Sequence, residues 1–147
     1  MAQTSQLAVK ADIKSSPEKF YNFLIHNASQ LPTILPHIVQ KAEVVQGQEG
    51  QPGSVMHIKY LVGDKPGSAK FQTQKVDGVN KIIIFVAVEG EILGFYVTFA
   101  VEIVIGKNQV QWNFNYEKAN DSVPDPDMYA NLAVAATKAL DVYLLVN

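Results

Sequence analysis

The stretch PDMYANLAVAATKALDVYLLV, residues Pro126–Val146, decides the fold predicted for this chain. Its apolar residues recur at i, i+3, i+4 and i+7, the spacing that places side chains on one helix face. These residues are Tyr129, Leu132, Ala133, Ala136, Leu140, Tyr143 and Leu144. Pro126 suits the first turn, and Asp125 and Asp127 put negative charge at the positive end of the helix dipole. A helix of about 20 residues is roughly 30 Å long, so it needs a large apolar partner.

Most of the chain between Gln40 and Tyr116 alternates apolar and polar residues, which is typical of half-buried strands. A further strand is predicted over Leu7–Ile13. The other predicted strands are Val39–Val45, Val55–Val62, Ala69–Val76, Lys81–Val88, Phe95–Ile105 and Gln109–Tyr116. Alternation places Val97, Phe99 and Val101 on one apolar face, and Trp112, Phe114 and Tyr116 on another. The links between the last six are short and include predicted turns at Gly63–Gly67 and Glu89–Gly94, so neighbouring strands should pair antiparallel.

Two short helices are predicted between the first and second strands. Ser16 is a suitable N-cap, Pro17 suits the first helical position, and the first helix should end near His26. Asn27–Leu35 is predicted to form the second, with prolines that prevent one continuous rod. The expected fold is therefore α+β: a curved seven-stranded antiparallel sheet grips the long C-terminal helix, and two short helices close one end. The length of 147 residues favours a single domain over 1–147.

One helix cannot fill the concave side of a sheet this large, so we predict an internal apolar cavity. Its predicted lining is Met56, Ile58, Tyr60, Phe71, Ile83, Phe85, Tyr96, Phe99, Tyr129, Leu132 and Ala136. The tyrosine hydroxyls would be the few polar groups able to orient an apolar ligand. Aromatic residues at strand spacing are more often plain core, and that alternative stays open.

Composition excludes several classes of function. All twelve basic residues are lysines and the net charge is -2, which argues against nucleic-acid binding. The absence of cysteine excludes disulfides and thiolate zinc sites, and the three histidines lack metal-ligand spacing, so no metal or cofactor is predicted. The sequence contains no run of 18 apolar residues, so no membrane span is predicted. The first residues do not resemble a signal peptide, and an intracellular, cytoplasmic location is therefore expected.

Catalytic candidates are few, because no nucleophile motif is present. Tyr60, Tyr96 and Tyr129 could donate hydrogen bonds to a substrate oxygen. Glu89 would be a candidate general base with a raised pKa if it pointed inward. A solvated turn carboxylate is the preferred interpretation of Glu89.

Three segments together resemble one known family. They are IKSSPEKFYNFLIHNASQLP (Ile13–Pro32), VEGEILGFYVTF (Val88–Phe99) and NYEKANDSVPDPDMY (Asn115–Tyr129). They resemble the plant major latex protein family, a branch of the pathogenesis-related class-10 proteins within the START-like helix-grip superfamily. The resemblance implies a sheet that grips the C-terminal helix around a pocket for apolar ligands. It also implies a plant cytosolic protein with roles in defence, transport of hydrophobic molecules or specialised metabolism, in which some relatives are cyclases or isomerases.

The chain departs from the family pattern in ways that bear on the ligand. The glycine-rich loop GQEGQPG (Gly47–Gly53) carries Glu49 and no lysine, which makes it a poor phosphate cradle. The segment Gly94–Ala100 lacks the lysines common in relatives, and Met56 and His57 stand where relatives often have Lys and Trp. A drier pocket, a dimer surface and sequence drift all remain open as explanations.

Two functional hypotheses follow. The first is a protein that binds a small hydrophobic metabolite, such as a terpenoid, alkaloid or steroid-like molecule, in an internal cavity. The alternative is a cyclase or isomerase that steers a reactive intermediate by holding it in one conformation, which needs little acid–base machinery. A monomer or weak homodimer is expected, the latter because Val134, Val142, Leu145 and Val146 would leave an apolar strip on the long helix.

Overall fold

The computed structural model describes residues 4–147 of the chain. The strands are β1 (Thr4–Asp12), β2 (Val39–Gln46), β3 (Val55–Val62), β4 (Lys65–Asp77), β5 (Ile82–Gly90), β6 (Tyr96–Ile105) and β7 (Gln109–Lys118). The helices are α1 (Pro17–His26), α2 (Leu31–Ile34), α3 (Ile92–Phe95) and α4 (Asp127–Val146), with a 3₁₀ turn at Ala28–Gln30. The long helix, the antiparallel seven-stranded sheet and the helix-grip arrangement are therefore confirmed.

The seven strands form one sheet in the order β1-β7-β6-β5-β4-β3-β2, with every neighbouring pair antiparallel. Six strands follow each other along the chain as a meander, and β1 crosses over to pair with β7. The edge strands β1 and β2 do not pair with each other, so the sheet is not closed into a barrel. Its twist curls it around α4. The concave face therefore supplies most of the core.

The helical elements between β1 and β2 follow local sequence signals. The Ser16 hydroxyl accepts a hydrogen bond from the Lys19 backbone N–H at 3.1 Å, and Pro17 occupies the first turn. The predicted second helix is split, because a 3₁₀ turn precedes the four-residue α2.

The start of β6 differs from the alternation predicted over Phe95–Ile105. The chain forms the short helix α3 where a turn was predicted, and a register shift then places one extra residue of β6 between Tyr96 and Thr98. The bulge reverses the alternation, so Tyr96 and Phe99 both face inward while Val97 is 55% exposed. The prediction that Val97 shares the apolar face of Phe99 is therefore wrong.

The long helix buries a stripe that contains two polar residues among apolar ones. The buried side chains are Ala130, Ala133, Thr137, Leu140, Asp141 and Leu144. An 18-residue window of α4 has a mean hydropathy of 1.3, so by length and composition alone the helix could cross a membrane. The helix packs on the concave face of the sheet, and a core helix has the same apolar composition, so burial in the core explains the apolar stripe.

The glycine-rich loop is occupied by contacts within the chain. Gly50 lies against α1, where a Cβ would stand 2.4 Å from the Ile25 carbonyl oxygen, and its φ of +81° also favours glycine. The Glu49 carboxylate accepts a hydrogen bond from the Ser29 backbone N–H at 3.0 Å. Gly50 therefore serves close packing, and the Glu49 carboxylate in the loop pairs with a backbone N–H of the 3₁₀ turn.

Candidate ligand-binding site

An apolar cavity of about 170 Å³, here called the inner chamber, lies between the concave face of the sheet and α4. Its lining side chains come from the α2 region, five strands and one face of the helix. They are Leu31, Ile38, Val39, Ile58, Tyr60, Phe71, Phe99, Val101, Trp112, Phe114, Tyr129, Leu132, Ala133 and Ala136. The chamber exists because α4 places small side chains, Ala133 and Ala136, opposite the sheet.

A second pocket of about 380 Å³, here called the outer chamber, opens between the β3–β4 hairpin, α3 and the segment that leads into α4. Its lining mixes aromatic, proline and charged residues. They are Tyr60, Val62, Lys65, Pro66, Gly67, Ser68, Glu91, Ile92, Phe95, Tyr96, Val123, Pro124, Asp125, Pro126, Met128 and Tyr129. Tyr60 and Tyr129 line both chambers, so they stand at the boundary between them.

The hydroxyls of Tyr60 and Tyr129 are joined by a hydrogen bond of 3.1 Å, which we call the tyrosine bridge. The two rings meet edge to face with centroids 5.7 Å apart, and the Tyr129 ring also packs against Phe99 at 5.3 Å. Two hydroxyls carry two protons, and one bond uses only one of them. The bridge therefore keeps one O–H available to an acceptor that enters the site.

Gly67 makes room for the ring of Tyr60. The two residues are opposite each other in the β3–β4 pair, and a Cβ on Gly67 would stand 2.9 Å from the Tyr60 Cε1 atom. Such a contact would force the ring to shift, and with it the hydroxyl that forms the bridge. The absence of a side chain at this position thus contributes to the geometry of the site.

Two other tyrosines tie the segment before α4 to the sheet. The Tyr96 hydroxyl donates to the Pro124 carbonyl and the Tyr116 hydroxyl donates to the Asp125 carboxylate, each at 2.8 Å. Burial, together with nearby carboxylates, raises the pKa of each of these tyrosines to about 12. Since its proton is committed to Pro124, Tyr96 can offer a ligand its ring and lone pairs.

The bridge tyrosines remain protonated at neutral pH. Burial raises the pKa of Tyr60 far above its ordinary value, and the hydrogen bond that its hydroxyl shares with Tyr129 and the charge of Glu91 add to the effect. Burial also raises the pKa of Tyr129, with Glu91 again contributing. Both groups therefore act as hydroxyl donors and not as phenolates.

The structure brings together most of the predicted lining. Ile58, Tyr60, Phe71, Phe99, Tyr129, Leu132 and Ala136 line the inner chamber, and Tyr96 lines the outer one. Met56, Ile83 and Phe85 line neither chamber. Ile83 is completely buried in packed core, and Phe85 is half-buried against the same core, so neither presents a free surface to a cavity. Met56 is half-buried and lies opposite Phe71 in the β3–β4 pair, but it is not part of either lining.

Glu89 lies away from both chambers. Its carboxylate is 67% exposed and forms an ion pair of 3.2 Å with Lys70 across the β4–β5 pair. The preferred interpretation as a solvated carboxylate agrees with this position, and the geometry removes Glu89 as a general base for chemistry in the cavity. Glu91, two residues later, and Asp125 are the carboxylate residues in the lining of the outer chamber.

Trp112 is the most informative lining residue that the prediction omitted. Its indole N–H donates to the Thr137 hydroxyl at 2.9 Å, and that hydroxyl donates to the Ala133 carbonyl at 2.8 Å. The alternation of β7 already placed Trp112 on the apolar face. The outer chamber gives no such signal, because its walls come from the β3–β4 hairpin, the short α3 and the segment before α4, which share no single periodic pattern. Among residues 4–147, no three His, Asp or Glu side chains gather as potential metal ligands.

A sheet that grips a helix around an apolar cavity defines the helix-grip class of ligand-binding folds. The sequence matches the Pathogenesis-related protein Bet v 1 family over residues 2–147. The chain therefore belongs to the Bet v 1 family.

The similarity to individual relatives points to the major latex branch of that family. MLP-like protein 423 of Arabidopsis thaliana is 28% identical, over 99% of this chain and 97% of that protein. MLP-like protein 34 of the same plant is also 28% identical, over 97% of this chain, which spans only 47% of that longer relative. The resemblance to major latex proteins is thus confirmed.

Solved structures agree. The crystal structure of ginseng major latex-like protein 151 from Panax ginseng superposes with a TM-score of 0.92 at 27% identity, over 95% of this chain and 97% of that one. Norcoclaurine synthase from Thalictrum flavum, in complex with dopamine and hydroxybenzaldehyde, superposes with a TM-score of 0.79, over 99% of this chain and 89% of that one. Its 17% identity shows a shared fold alone.

Proposed function

We propose that this protein binds a small, uncharged, largely hydrophobic plant metabolite in the inner chamber and carries or buffers it in the cytoplasm. One observation carries the proposal: an almost wholly apolar cavity beneath α4 whose lining includes a hydrogen-bonded pair of tyrosine hydroxyls. Such sites combine apolar walls with a few polar groups that set orientation. The whole of 1–147 would act as one binding domain, as the family match supports.

The size of the inner chamber limits what it holds alone. Cavities of about 150 Å³ lined by aliphatic and aromatic side chains stay dry and bind benzene. The inner chamber, at about 170 Å³, has the volume for a group of one ring. A ligand gains roughly 25 cal/mol for each Å² of apolar surface that it buries. Terpenoid, alkaloid or steroid-like ligands would therefore need the outer chamber as well.

The charges near the bridge disfavour an anionic ligand. Glu91 acts on the hydroxyls of Tyr60 and Tyr129, and Asp125 and Asp127 act on that of Tyr96, all raising the tyrosine pKa values. The Asp125 carboxylate is itself paired with Lys118 at 3.0 Å, which leaves exposed Lys65 as the other cation at the mouth. A ligand carboxylate or phosphate in the outer chamber would meet Glu91 without a buried counter-charge.

The first test uses the single tryptophan, because Trp112 lines the inner chamber. Titration with 4-phenylbutan-1-ol should change Trp112 emission saturably, since a ring in the chamber contacts the indole. The matched acid, 4-phenylbutanoate, should bind about tenfold more weakly at pH 7, which corresponds to about 1.4 kcal/mol. Absence of a saturable response to any neutral probe, or a preference for the acid, would contradict the proposal.

Glu91→Gln gives this experiment its charge control. The substitution should narrow the difference in affinity between the alcohol and the acid, because it removes the carboxylate whose charge acts on both bridge hydroxyls. Glu89→Gln is the matched substitution two residues away, on a carboxylate paired with Lys70 outside the chambers. It should leave the alcohol-to-acid ratio at the wild-type value.

The unused hydroxyl proton of the bridge favours a second candidate, a cyclase or isomerase. A donor fixed beside an apolar chamber can stabilise negative charge that develops on a carbonyl oxygen during ring closure. The fold shared with norcoclaurine synthase is compatible with this candidate. Catalysis would then rest on confinement and one or two donors, without a metal or nucleophile.

Product analysis distinguishes the enzyme from the carrier. A panel of reactive terpenoid aldehydes and alkaloid precursors would be incubated with the wild type and with the variants Tyr60→Phe and Tyr129→Phe. An enzyme should change the rate or product ratio relative to buffer, and each variant should reduce that change about tenfold or more, as loss of an oxyanion donor does. Identical products with protein and with buffer would leave the carrier function.

A further inference from the structure

Neither chamber alone suits the ligands discussed above, and this inference rests on that proposed function. The inner chamber has the volume for about one ring, whereas the larger outer chamber includes the charged residues Lys65, Glu91 and Asp125 in its lining. Together their volumes fall within the range of about 300–1,000 Å³ that is usual for small-molecule sites. Tyr60 and Tyr129 belong to the linings of both chambers, so a ligand that spans the two would lie against this pair.

We propose that the tyrosine bridge is a specificity-determining partition across one continuous site. Its ligand places one ring or branched apolar group in the inner chamber, a carbonyl or hydroxyl oxygen at the bridge, and an uncharged remainder in the outer chamber. The ligand oxygen replaces the bond between Tyr60 and Tyr129 and accepts from both hydroxyls.

The shared lining carries this proposal. Tyr60 and Tyr129 are common to both chambers, and their hydroxyls lie 3.1 Å apart, so a ligand cannot pass between them while the bridge is intact. Apolar surfaces continue on both sides, through Phe99 and Ala136 inside and through Phe95 and Val62 outside. Separation of the two hydroxyls would therefore join two apolar volumes.

The hydrogen-bond balance explains the selectivity for an oxygen. Opening the bridge breaks one neutral hydrogen bond, and a ligand that enters must replace it. A carbonyl has two lone pairs and can accept from both hydroxyls, so it replaces the lost bond and uses the second proton. A hydrocarbon of the same shape leaves both buried hydroxyls without a partner. The bridge therefore selects for a ligand oxygen at one depth in the site.

Gly67 supports the position of the partition independently of the hydroxyls. A methyl group there would meet the Tyr60 ring at 2.9 Å and move it. Gly67→Ala should therefore weaken the selection for a ligand oxygen while both tyrosines are still present. This variant tests whether the position of the Tyr60 ring matters, whereas the Tyr→Phe variants test whether the hydroxyl groups themselves matter.

The experiment compares three probes by Trp112 fluorescence and calorimetry: ethylbenzene, butylbenzene and 4-phenylbutan-2-one. The last two share a ring and a four-carbon chain and differ by the ketone. The affinity ratio of ketone to butylbenzene should fall about fivefold or more in the Tyr60→Phe/Tyr129→Phe double variant, the change expected for one or two neutral hydrogen bonds. Each single variant, and Gly67→Ala, should give an intermediate ratio.

Tyr143→Phe is the matched control, because it removes the hydroxyl of a tyrosine that packs against Phe23 and lines neither chamber. It should keep the wild-type ratio. Circular dichroism and urea midpoints establish that each variant is folded, and the single variants carry the test if the double variant is not. If the ketone-to-butylbenzene affinity ratio is the same in the wild type and in every folded Tyr60 or Tyr129 variant, the proposed partition is wrong, although the proposal of ligand binding is unaffected. Failure of all three probes to bind the wild type would overturn the proposed function with it.

Discussion

Replacement of Asp141 by alanine is expected to lower the free energy of unfolding by about 3 kcal/mol or more. Asp141 is 7% exposed on α4 and is the buried carboxylate that joins the long helix to the start of α1. It accepts from the backbone N–H groups of Lys14 and Ser15 at 2.9 to 3.1 Å and from the Ser15 hydroxyl at 2.5 Å. Alanine would leave these donors buried without an acceptor. Urea denaturation at pH 7 measures the difference.

The same carboxylate should make stability depend on pH. Burial by itself raises the pKa of Asp141, but the hydrogen bonds from Ser15 and Lys14 outweigh it and hold the pKa below its ordinary value. A carboxyl with a lowered folded pKa stabilises the fold above its unfolded pKa of about 3.9, and this contribution is lost as pH falls through the folded pKa. The wild type should therefore lose more stability than Asp141→Ala between pH 7 and about pH 3.

Asp121→Ala is the matched control, since Asp121 is exposed in the segment before α4. Its unfolding free energy should change by less than about 0.5 kcal/mol. The loss of unfolding free energy in Asp141→Asn should lie between those of the two alanine variants. The amide keeps one acceptor oxygen, but its NH₂ group faces the donors of Lys14 and Ser15. A loss below about 1 kcal/mol for Asp141→Ala would show that water replaces the carboxylate and that this joint contributes little.

Asp141 also shows where helix periodicity loses its predictive value. Apolar spacing identified the helix and most of its buried face, but Thr137 and Asp141 lie on the buried stripe of that same helix. Nothing local reveals that a polar residue faces inward, because the partners that satisfy it come from elsewhere. Ser15 lies more than 120 residues away, and the indole of Trp112 reaches Thr137 from β7.

The strands show a similar division. Alternation predicted the inner faces of β3, β4 and β7, and therefore Ile58, Phe71 and the apolar position of Trp112, because a strand side chain can point only to one face or the other. Alternation failed at Val97, where a bulge added one residue to β6. A bulge is fixed by pairing with the neighbouring strand, which a single sequence does not display.

The chambers mark the remaining limit. The existence of an inner cavity follows from the size of the sheet and the small residues of α4, and the sequence contains both. The tyrosine bridge joins residues 69 positions apart and depends on the missing side chain of Gly67. The outer chamber is assembled from a hairpin, α3 and the segment before α4, none of which has a repeating pattern. The sequence therefore predicts Tyr60 and Tyr129 as lining residues but not the hydrogen bond between them.

We expect contacts in the inner chamber to be essential for ligand affinity. Ala136 lines it from α4, so Ala136→Leu would place three additional carbons within about 170 Å³. A ring that must share this volume loses contacts or cannot enter. We expect the affinity for 4-phenylbutan-1-ol to fall about tenfold or more, and for ethylbenzene by a similar factor. Calorimetric titration measures both.

Stability provides the second readout, because a cavity-filling substitution and a disruptive one have opposite effects. Leucine is a good helix former and buries apolar surface where the chamber is empty, so Ala136→Leu should leave the free energy of unfolding unchanged or raise it by up to about 1 kcal/mol. Ala135→Leu, at the exposed neighbouring position, makes the same chemical change outside the chamber and should keep wild-type affinity. Weaker binding combined with preserved stability would place the ligand's ring beside Ala136. Undiminished affinity in a folded Ala136→Leu protein would locate binding in the outer chamber, and the inner chamber would then be a packing defect of the core.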